Sequence, residues 1–260
     1  MEIIYKKRRI NKLENGEITL AWMYPDILNQ HGDRGNIMAF EKIAKKLNIK
    51  LNIKRINTYK EQIDLKNTDI MFFSPGELKV TKKIILELNK YKKQLEEYIN
   101  NDKTIICIGT SVAIFAKDII KQNGEKYKGL DFLDITCIER ETIIGDDLYY
   151  SIDDTEEIIG SQIQTIDAIL NSGQALGTIK YGYGNNGTEQ EGAKHKNLIF
   201  TNALGPVFVK NIWWTEKILT DIAEKKKIQV TPIPVEEYEI EILSFNTTKK
   251  FIETKEKNKK

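Results

Sequence analysis

This chain of 260 residues is short of the residue types that most often carry chemistry, with two histidines, two cysteines and five prolines. Cys107 and Cys137 show no Cys-x-x-Cys spacing, which excludes a disulfide framework and a thiolate zinc site. With only His31 and His195 available, a general base is scarce, and neither a metal nor a cofactor is expected. Long apolar runs are missing too, since the longest uncharged stretch, about residues 104–116, is too short to span a bilayer. Charge of one sign is not in excess: 40 basic residues face 38 acidic ones, a formal net charge of +2, with Lys and Glu mixed along most of the chain. That balance argues against a nucleic-acid or membrane surface. Near the start, Lys6-Lys7-Arg8-Arg9 follows the short apolar Ile3-Ile4-Tyr5, the reverse of the order in a secretory signal. A cytoplasmic protein without a membrane span is the expectation.

The apolar residues that are present, 40% of the chain, suffice for one sizeable core. Continuous apolar runs at 18–23, 69–73 and 104–107, and an alternating one at 51–56, read as strands. Between them, residues following Asp33 place Ala39, Phe40, Ile43, Ala44 and Leu47 at helical spacing, with Asp33 as N-cap, and residues 77–100 read as one helix rich in Lys, Glu and Leu. Such an order predicts an α/β sandwich with a largely parallel central sheet and helices on both faces. Further strands are expected at 134–138, 147–152, 158–163, 177–183 and 198–202, and a last helix at 212–225. Of the pair Trp213-Trp214 that opens this helix, one side chain should be core and the other is a candidate partner surface. The domain organisation expected is a polar extension at 1–16, one domain at 17–230, and a charged tail at 231–260 whose Lys-rich end, from residue 248, reads as solvated and poorly ordered.

Cys107 closes the apolar run Thr104-Ile105-Ile106, ahead of residues 110–119, which read as a helix. A thiolate at a strand-to-helix turn gains from the helix N-terminus and from nearby backbone N–H groups, and Gly109 permits a tight turn. Buried small hydrophobe and nucleophile both remain open for Cys107, whereas Cys137, within the alternating Ile135-Thr136-Cys137-Ile138, reads as buried. His195, between Lys194 and Lys196, and His31, before Gly32-Asp33, read as exposed or structural.

Downstream lie Gly182-Tyr183-Gly184-Asn185-Asn186-Gly187, then Glu191-Gly192, Lys196-Asn197-Leu198-Ile199 and Gly205-Pro206. Together with Tyr24-Pro25-Asp26-Ile27-Leu28-Asn29, Gly32-Asp33-Arg34-Gly35-Asn36 and the Cys107 turn, this order resembles the CobB/CobQ-like class I glutamine amidotransferases, and within them the glutaminase subunits of lipid II isoglutaminyl synthases. The resemblance covers about residues 18–224. It implies a flavodoxin-like fold, glutamine as substrate, a cysteine that forms a glutamyl thioester and releases ammonia, and a Mur-ligase-like partner in a heterodimer that amidates the peptidoglycan precursor lipid II.

Carried over residue by residue, the family's Cys-Gly-Gly-Tyr-Gln falls on Cys107-Ile108-Gly109-Thr110-Ser111, which makes Cys107 the nucleophile position and Gly109 a substrate-binding glycine. Departures accompany it. The family's Thr-Tyr-Leu-His-Gly-Pro reads Thr201-Asn202-Ala203-Leu204-Gly205-Pro206, so Leu204 stands where the general-base histidine belongs, and its side chain takes no proton. The three glycines of the oxyanion loop read Ser74-Pro75-Gly76; Gly76 is kept, but Pro75 has no N–H to donate. The family's Gly-Phe-Glu-Asn-His becomes Gly160-Ser161-Gln162-Ile163-Gln164. The substrate-binding arginine before Gly145-Asp146 aligns near Thr142, with Arg140 as a shifted equivalent. The resemblance therefore implies a glutaminase subunit with an impaired or lost site. Two alternatives stay open: a non-catalytic pseudo-amidotransferase acting as a binding or regulatory subunit, and an amidotransferase of cobyric-acid-synthase type in cofactor biosynthesis.

Overall fold

The computed structural model describes residues 16–58 and 61–259, so the N-terminal extension expected at 1–16 lies outside the described residues except for Gly16. In chain order the elements are β1 (Glu17–Met23), α1 (Arg34–Lys46), β2 (Lys50–Ile56), β3 (Ile70–Phe73), α2 (Leu78–Leu88), α3 (Lys92–Asn100) and β4 (Thr104–Ile108). There follow β5 (Ala116–Ile120), β6 (Lys126–Lys128), β7 (Leu133–Ile152), β8 (Glu156–Leu170), β9 (Gly177–Tyr181), β10 (Gln190–Glu191), β11 (Ala193–His195) and β12 (Leu198–Thr201). Three helices close the chain: α4 (Val207–Lys210), α5 (Ile212–Lys225) and α6 (Glu239–Lys259).

The first sheet has the order β11-β12-β4-β3-β1-β2 and is parallel throughout except for its edge strand β11. Its central strands β3 and β4 are buried along their whole length because both faces are covered, whereas the edge strands β2 and β11 carry polar residues. Alternation sorts the sheet's side chains into two clusters. Ala21, Met23, Met71, Phe73, Ile105, Cys107, Leu198 and Phe200 point to one face, against Ile84 and Leu88 of α2, Leu95 and Ile99 of α3, and the second sheet. Leu20, Trp22, Ile70, Phe72, Ile106 and Ile108 point to the other, against Phe40 and Ile43 of α1 and Leu219 and Ile222 of α5.

The second sheet, β10-β9-β7-β5-β6 with β8 on β7, is mixed. Its long hairpin β7–β8 serves both faces, Ile135 and Cys137 joining the first cluster and Leu148, Tyr150 and Ile152 the second. The sequence divides β7 into two strands because residues 139–143 are polar or exposed; in the structure a register shift between Glu139 and Ile144 absorbs them without ending the strand.

Two helical expectations come out differently. Residues 77–100 form α2 and α3 separated by a 3-10 turn at Asn89–Tyr91. The buried positions Thr81, Ile85, Leu88, Leu95 and Tyr98 stay in helical phase across the break, which is why one helix is read. Residues 110–119 are not a helix: a 3-10 turn, Gly109–Ile114, runs into β5. Val112, Ala113, Ile114, Phe115 and Ala116 are all buried in succession, which a one-faced helix does not allow. Within the chain's Lys-rich end, residues 239–259 form α6, held by Ile252 in a cluster with Tyr149, Ile159 and Tyr181 and by Lys255 paired to Asp146 and Asp147 at 2.9 and 2.7 Å. Phe245 of α6 stacks edge-on upon Trp213 at 4.7 Å, so Trp213 is covered from within the chain, while Trp214 packs on Phe208 at 4.9 Å.

The docking of α6 rests on few side chains. Ile252→Ala is expected to cost about 2–3 kcal/mol and to raise amide hydrogen exchange along α6 while leaving β1, β3 and β4 protected. Unchanged exchange in α6 counts against this docking.

Candidate functional site

The loops after β1, β3, β4 and β12, four neighbouring parallel strands, share one edge of the first sheet, the position where open α/β sheets bind ligands. Gln30 N–H donates to the Pro75 carbonyl at 3.1 Å and ties the loop after β1 to the loop after β3. The loop after β4 is fixed by Ser111, whose Oγ accepts from Ile108 N–H at 2.9 Å and lies 3.1 Å from the Phe73 carbonyl.

Gly109 leaves β4 with φ +55°, in the left-handed region that an elbow nucleophile would occupy under strain. A β-carbon placed there would stand 3.3 Å from Pro75 Cβ and 3.5 Å from Leu204 Cδ2. The structure thus brings together Gly109, Leu204, Pro75 and, through Thr110, Gly76. Thr110 Oγ1 accepts from Gly76 N–H at 3.0 Å and hydrogen-bonds its carbonyl in return, so the one remaining amide of the Pro75-Gly76 pair is already satisfied.

Cys107 is not in this group. It sits inside β4, registered between Phe73 and Phe200, fully buried in the first cluster, whereas Leu204 belongs to the second, across the sheet. Desolvation pushes its thiol well above the ordinary value. With a 3-10 turn in place of a helix after β4, no helix dipole lowers it. Cys137 is equally enclosed, pushed up to about 12 by burial.

Neither histidine faces the thiol. His195 is exposed and pairs with Leu198, which pairs with Ile105, so it lies two strands away, about 9.6 Å, and level with the far half of β4. There it lines a polar cavity of about 560 Å³ with Glu96, Asp131 and Lys194. His31 is exposed in the turn before α1, with φ +59°.

Arg140 lies elsewhere, at the register shift of β7. One guanidinium nitrogen donates to both oxygens of Asp167 at 2.7 and 2.8 Å and to Tyr183 Oη at 2.8 Å, and the group stacks over the Tyr183 ring. Its charge is therefore neutralised within the protein. Gln164, which donates to the Asn185 carbonyl at 2.9 Å, connects this pair to a buried network that continues through Asn202 to Glu191.

Glu191 is fully buried, and its carboxylate accepts from Thr201 Oγ1 at 2.8 Å, Asn202 N–H at 2.7 Å and Asn202 Nδ2 at 3.0 Å. Desolvation raises its pKa and these donors oppose the rise. What Glu191 does is fix the segment that presents Leu204. Its Glu-Gly motif is visible in the sequence, but its partners ten and eleven residues on are not.

Asp33 is also buried, yet it does not cap α1 through its side chain; its Oδ1 accepts from Asn36 Nδ2 at 2.8 Å and Oδ2 has no partner among the described residues. Burial lifts its pKa to about 7.

Residues 19–211 match the family of CobB/CobQ-like glutamine amidotransferase domains. Two curated relatives carry the name lipid II isoglutaminyl synthase (glutamine-hydrolyzing) subunit GatD. The one from Staphylococcus aureus is 31% identical over 217 residues, 83% of this chain and 88% of that protein. The one from Streptococcus pneumoniae is 25% identical, covering 93% of each chain. Among solved structures, PurLQS from Thermotoga maritima superposes with a TM-score of 0.53 at 11% identity, over 80% of this chain and 99% of that one, and a glutamine amidotransferase with 0.50 at 12%, with the same coverage. These two show the fold alone.

Two measurements check the site. Native protein is expected to show no thiol reactive towards a disulfide reagent, and both cysteines only after unfolding; a fast-reacting native thiol lost in Cys107→Ala contradicts the burial. For Asp33, the folded pKa lies above the ordinary 3.8, so between about pH 4 and about pH 7 the unfolded chain holds fewer protons than the folded one. Stability from this group therefore falls as pH rises through that window. Asp33→Asn, which keeps the Oδ1 acceptor, is expected to raise the denaturation midpoint at pH 7.5 and to change it little at pH 4. The chain belongs to the CobB/CobQ-like glutamine amidotransferase family.

Proposed function

We propose that this chain is a GatD-type subunit that does not hydrolyse glutamine, and that it acts by binding a Mur-ligase-like partner in a cytoplasmic complex that amidates lipid II. The observation that carries the reading is the geometry at Gly109. The residue whose side chain would face both the base position and the oxyanion loop has no side chain, and the residue at the base position is Leu204. Cys107 offers no substitute, since its thiol is directed to the opposite face of the sheet, away from Leu204.

Each step of thioester chemistry lacks its group. A nucleophile is absent from the elbow. Among the described residues no histidine stands at the elbow to deprotonate it or to return a proton to departing ammonia. Pro75 donates nothing to a tetrahedral oxyanion, and Gly76 N–H is engaged by Thr110. Losing one member of such a unit typically costs most of its rate, and here the losses coincide. The Glu191 network and the packing around Leu204 instead keep the scaffold whole, which is what a binding subunit needs.

The test combines the purified chain with its candidate ligase. No glutamate release from glutamine is expected with or without the partner, Cys107→Ala is expected to be indistinguishable from the wild type, and the two chains are expected to co-purify. Amidation by the complex should then run on free ammonia and not on glutamine. Turnover of glutamine that disappears in Cys107→Ala would falsify the reading.

A further inference from the structure

Lys210, at the end of α4, is half-buried beside the candidate site. Its ammonium donates to Ser161 Oγ at 3.1 Å and stands 3.7 Å from the place a β-carbon on Gly205 would take. Ser161 is itself locked to the base position: its N–H donates to the Leu204 carbonyl at 3.1 Å, and Leu204 N–H donates to its carbonyl at 2.7 Å. Lys210 and Ser161 therefore flank the residue that faces Gly109.

What the pair lacks is an acceptor. Among the described residues no carboxylate lies within 4.0 Å of Lys210. The nearby Asp147 pairs with Lys255 at 2.7 Å. Burial lowers the Lys210 pKa, and Asp147 opposes the fall only at a distance. An ammonium has three donors, and one is used on Ser161. Because Ser161 Oγ accepts that bond, its own hydroxyl proton remains to be donated. Gly205, at φ +74°, keeps the space before both groups clear, since a β-carbon there would lie 3.6 Å from Ser161 Oγ and 3.7 Å from Lys210 Nζ.

We propose that Lys210 and Ser161 form an anion subsite beside the vacated elbow, which takes the carboxylate of a small organic acid. One cation and one hydroxyl supply two adjacent donors, the number a planar carboxylate accepts across its two oxygens. A phosphate dianion would call for more donors and more positive charge than this pair holds. The subsite rests on the reading of the elbow as empty and gives the non-hydrolysing subunit a ligand to respond to.

Calorimetric titration with glutarate, and separately with L-glutamate and inorganic phosphate, tests it. Glutarate or L-glutamate is expected to bind the wild type. Lys210→Met should weaken that binding about tenfold or more, Ser161→Ala less, and Lys210→Arg least. As a readout that needs no variant, either carboxylate should protect Lys210 from acylation in the native protein, read by peptide mass spectrometry. No binding of either carboxylate up to about 10 mM, equal affinity in Lys210→Met, unprotected Lys210, or tighter binding of phosphate overturns the subsite. Glutamate release by the wild-type chain would end the non-hydrolysing reading instead, and leaves the titration to decide the subsite separately.

Discussion

The period of two along β4 is the constraint on which the rest of this site depends. Within a strand paired on both sides, neighbouring side chains must leave on opposite faces, so Ile105 and Cys107 go one way and Ile106 and Ile108 the other. Only where the strand ends, at Gly109, does the backbone turn through positive φ towards the loops of β3 and β12. A cysteine two residues earlier is carried into the core by the same pairing that holds the sheet together. Moving it to the elbow would take a register shift of β4 against both β3 and β12, and each single-residue step would send an apolar face into the wrong cluster.

Around that point most polar groups are satisfied by the protein itself, although Ser74 Oγ in the loop after β3 and Asp33 Oδ2 have no partner among the described residues. Thr110 bonds both backbone groups of Gly76, Asp167 and Tyr183 hold Arg140, and Thr201 and Asn202 enclose Glu191. An active hydrolase keeps several such donors unpaired so that charge developing in the transition state finds them waiting. Unpaired buried donors cost about 1–3 kcal/mol each, a cost that the proposed non-hydrolysing site would not need to carry. Lys210 and Ser161 also keep spare donors, which stand next to Leu204.

Much of the parallel sheet is legible in the sequence, because strands buried on both faces are written as unbroken apolar runs such as Ile70-Met71-Phe72-Phe73. Leu204 is legible for another reason: Gly205-Pro206 fixes its place in the motif. The elbow is not. Cys107 and Gly109 lie two residues apart in one apolar stretch, and the position that faces Leu204 depends on where β4 stops, the quantity sequence patterns define least well. Residues 110–119 mislead for a related cause, since the continuously buried run 111–116 carries no periodicity to separate a 3-10 turn and strand from a helix. With α6 the difficulty is reversed: its Lys residues suggest solvent, but Lys249 and Lys255 spend their charge on Glu157, Asp146 and Asp147 across the β7–β8 hairpin.

Those ion pairs bear on how the scaffold is held together. They are partly exposed, and each is worth little by itself. Acting with Ile252, Phe245 and Trp213, however, they close α6 over the same hairpin whose Ser161 abuts Leu204. A change in that hairpin would be felt at α6 and at the elbow alike, since Asp147 is opposite Ser161 in the β7–β8 register and is also a partner of Lys255. The hairpin, together with α4, thus joins the candidate site to the outer surface of the protein. On the proposed non-hydrolysing reading, that strand pair offers a physical route from an anion bound at Lys210 to a surface that another chain can read.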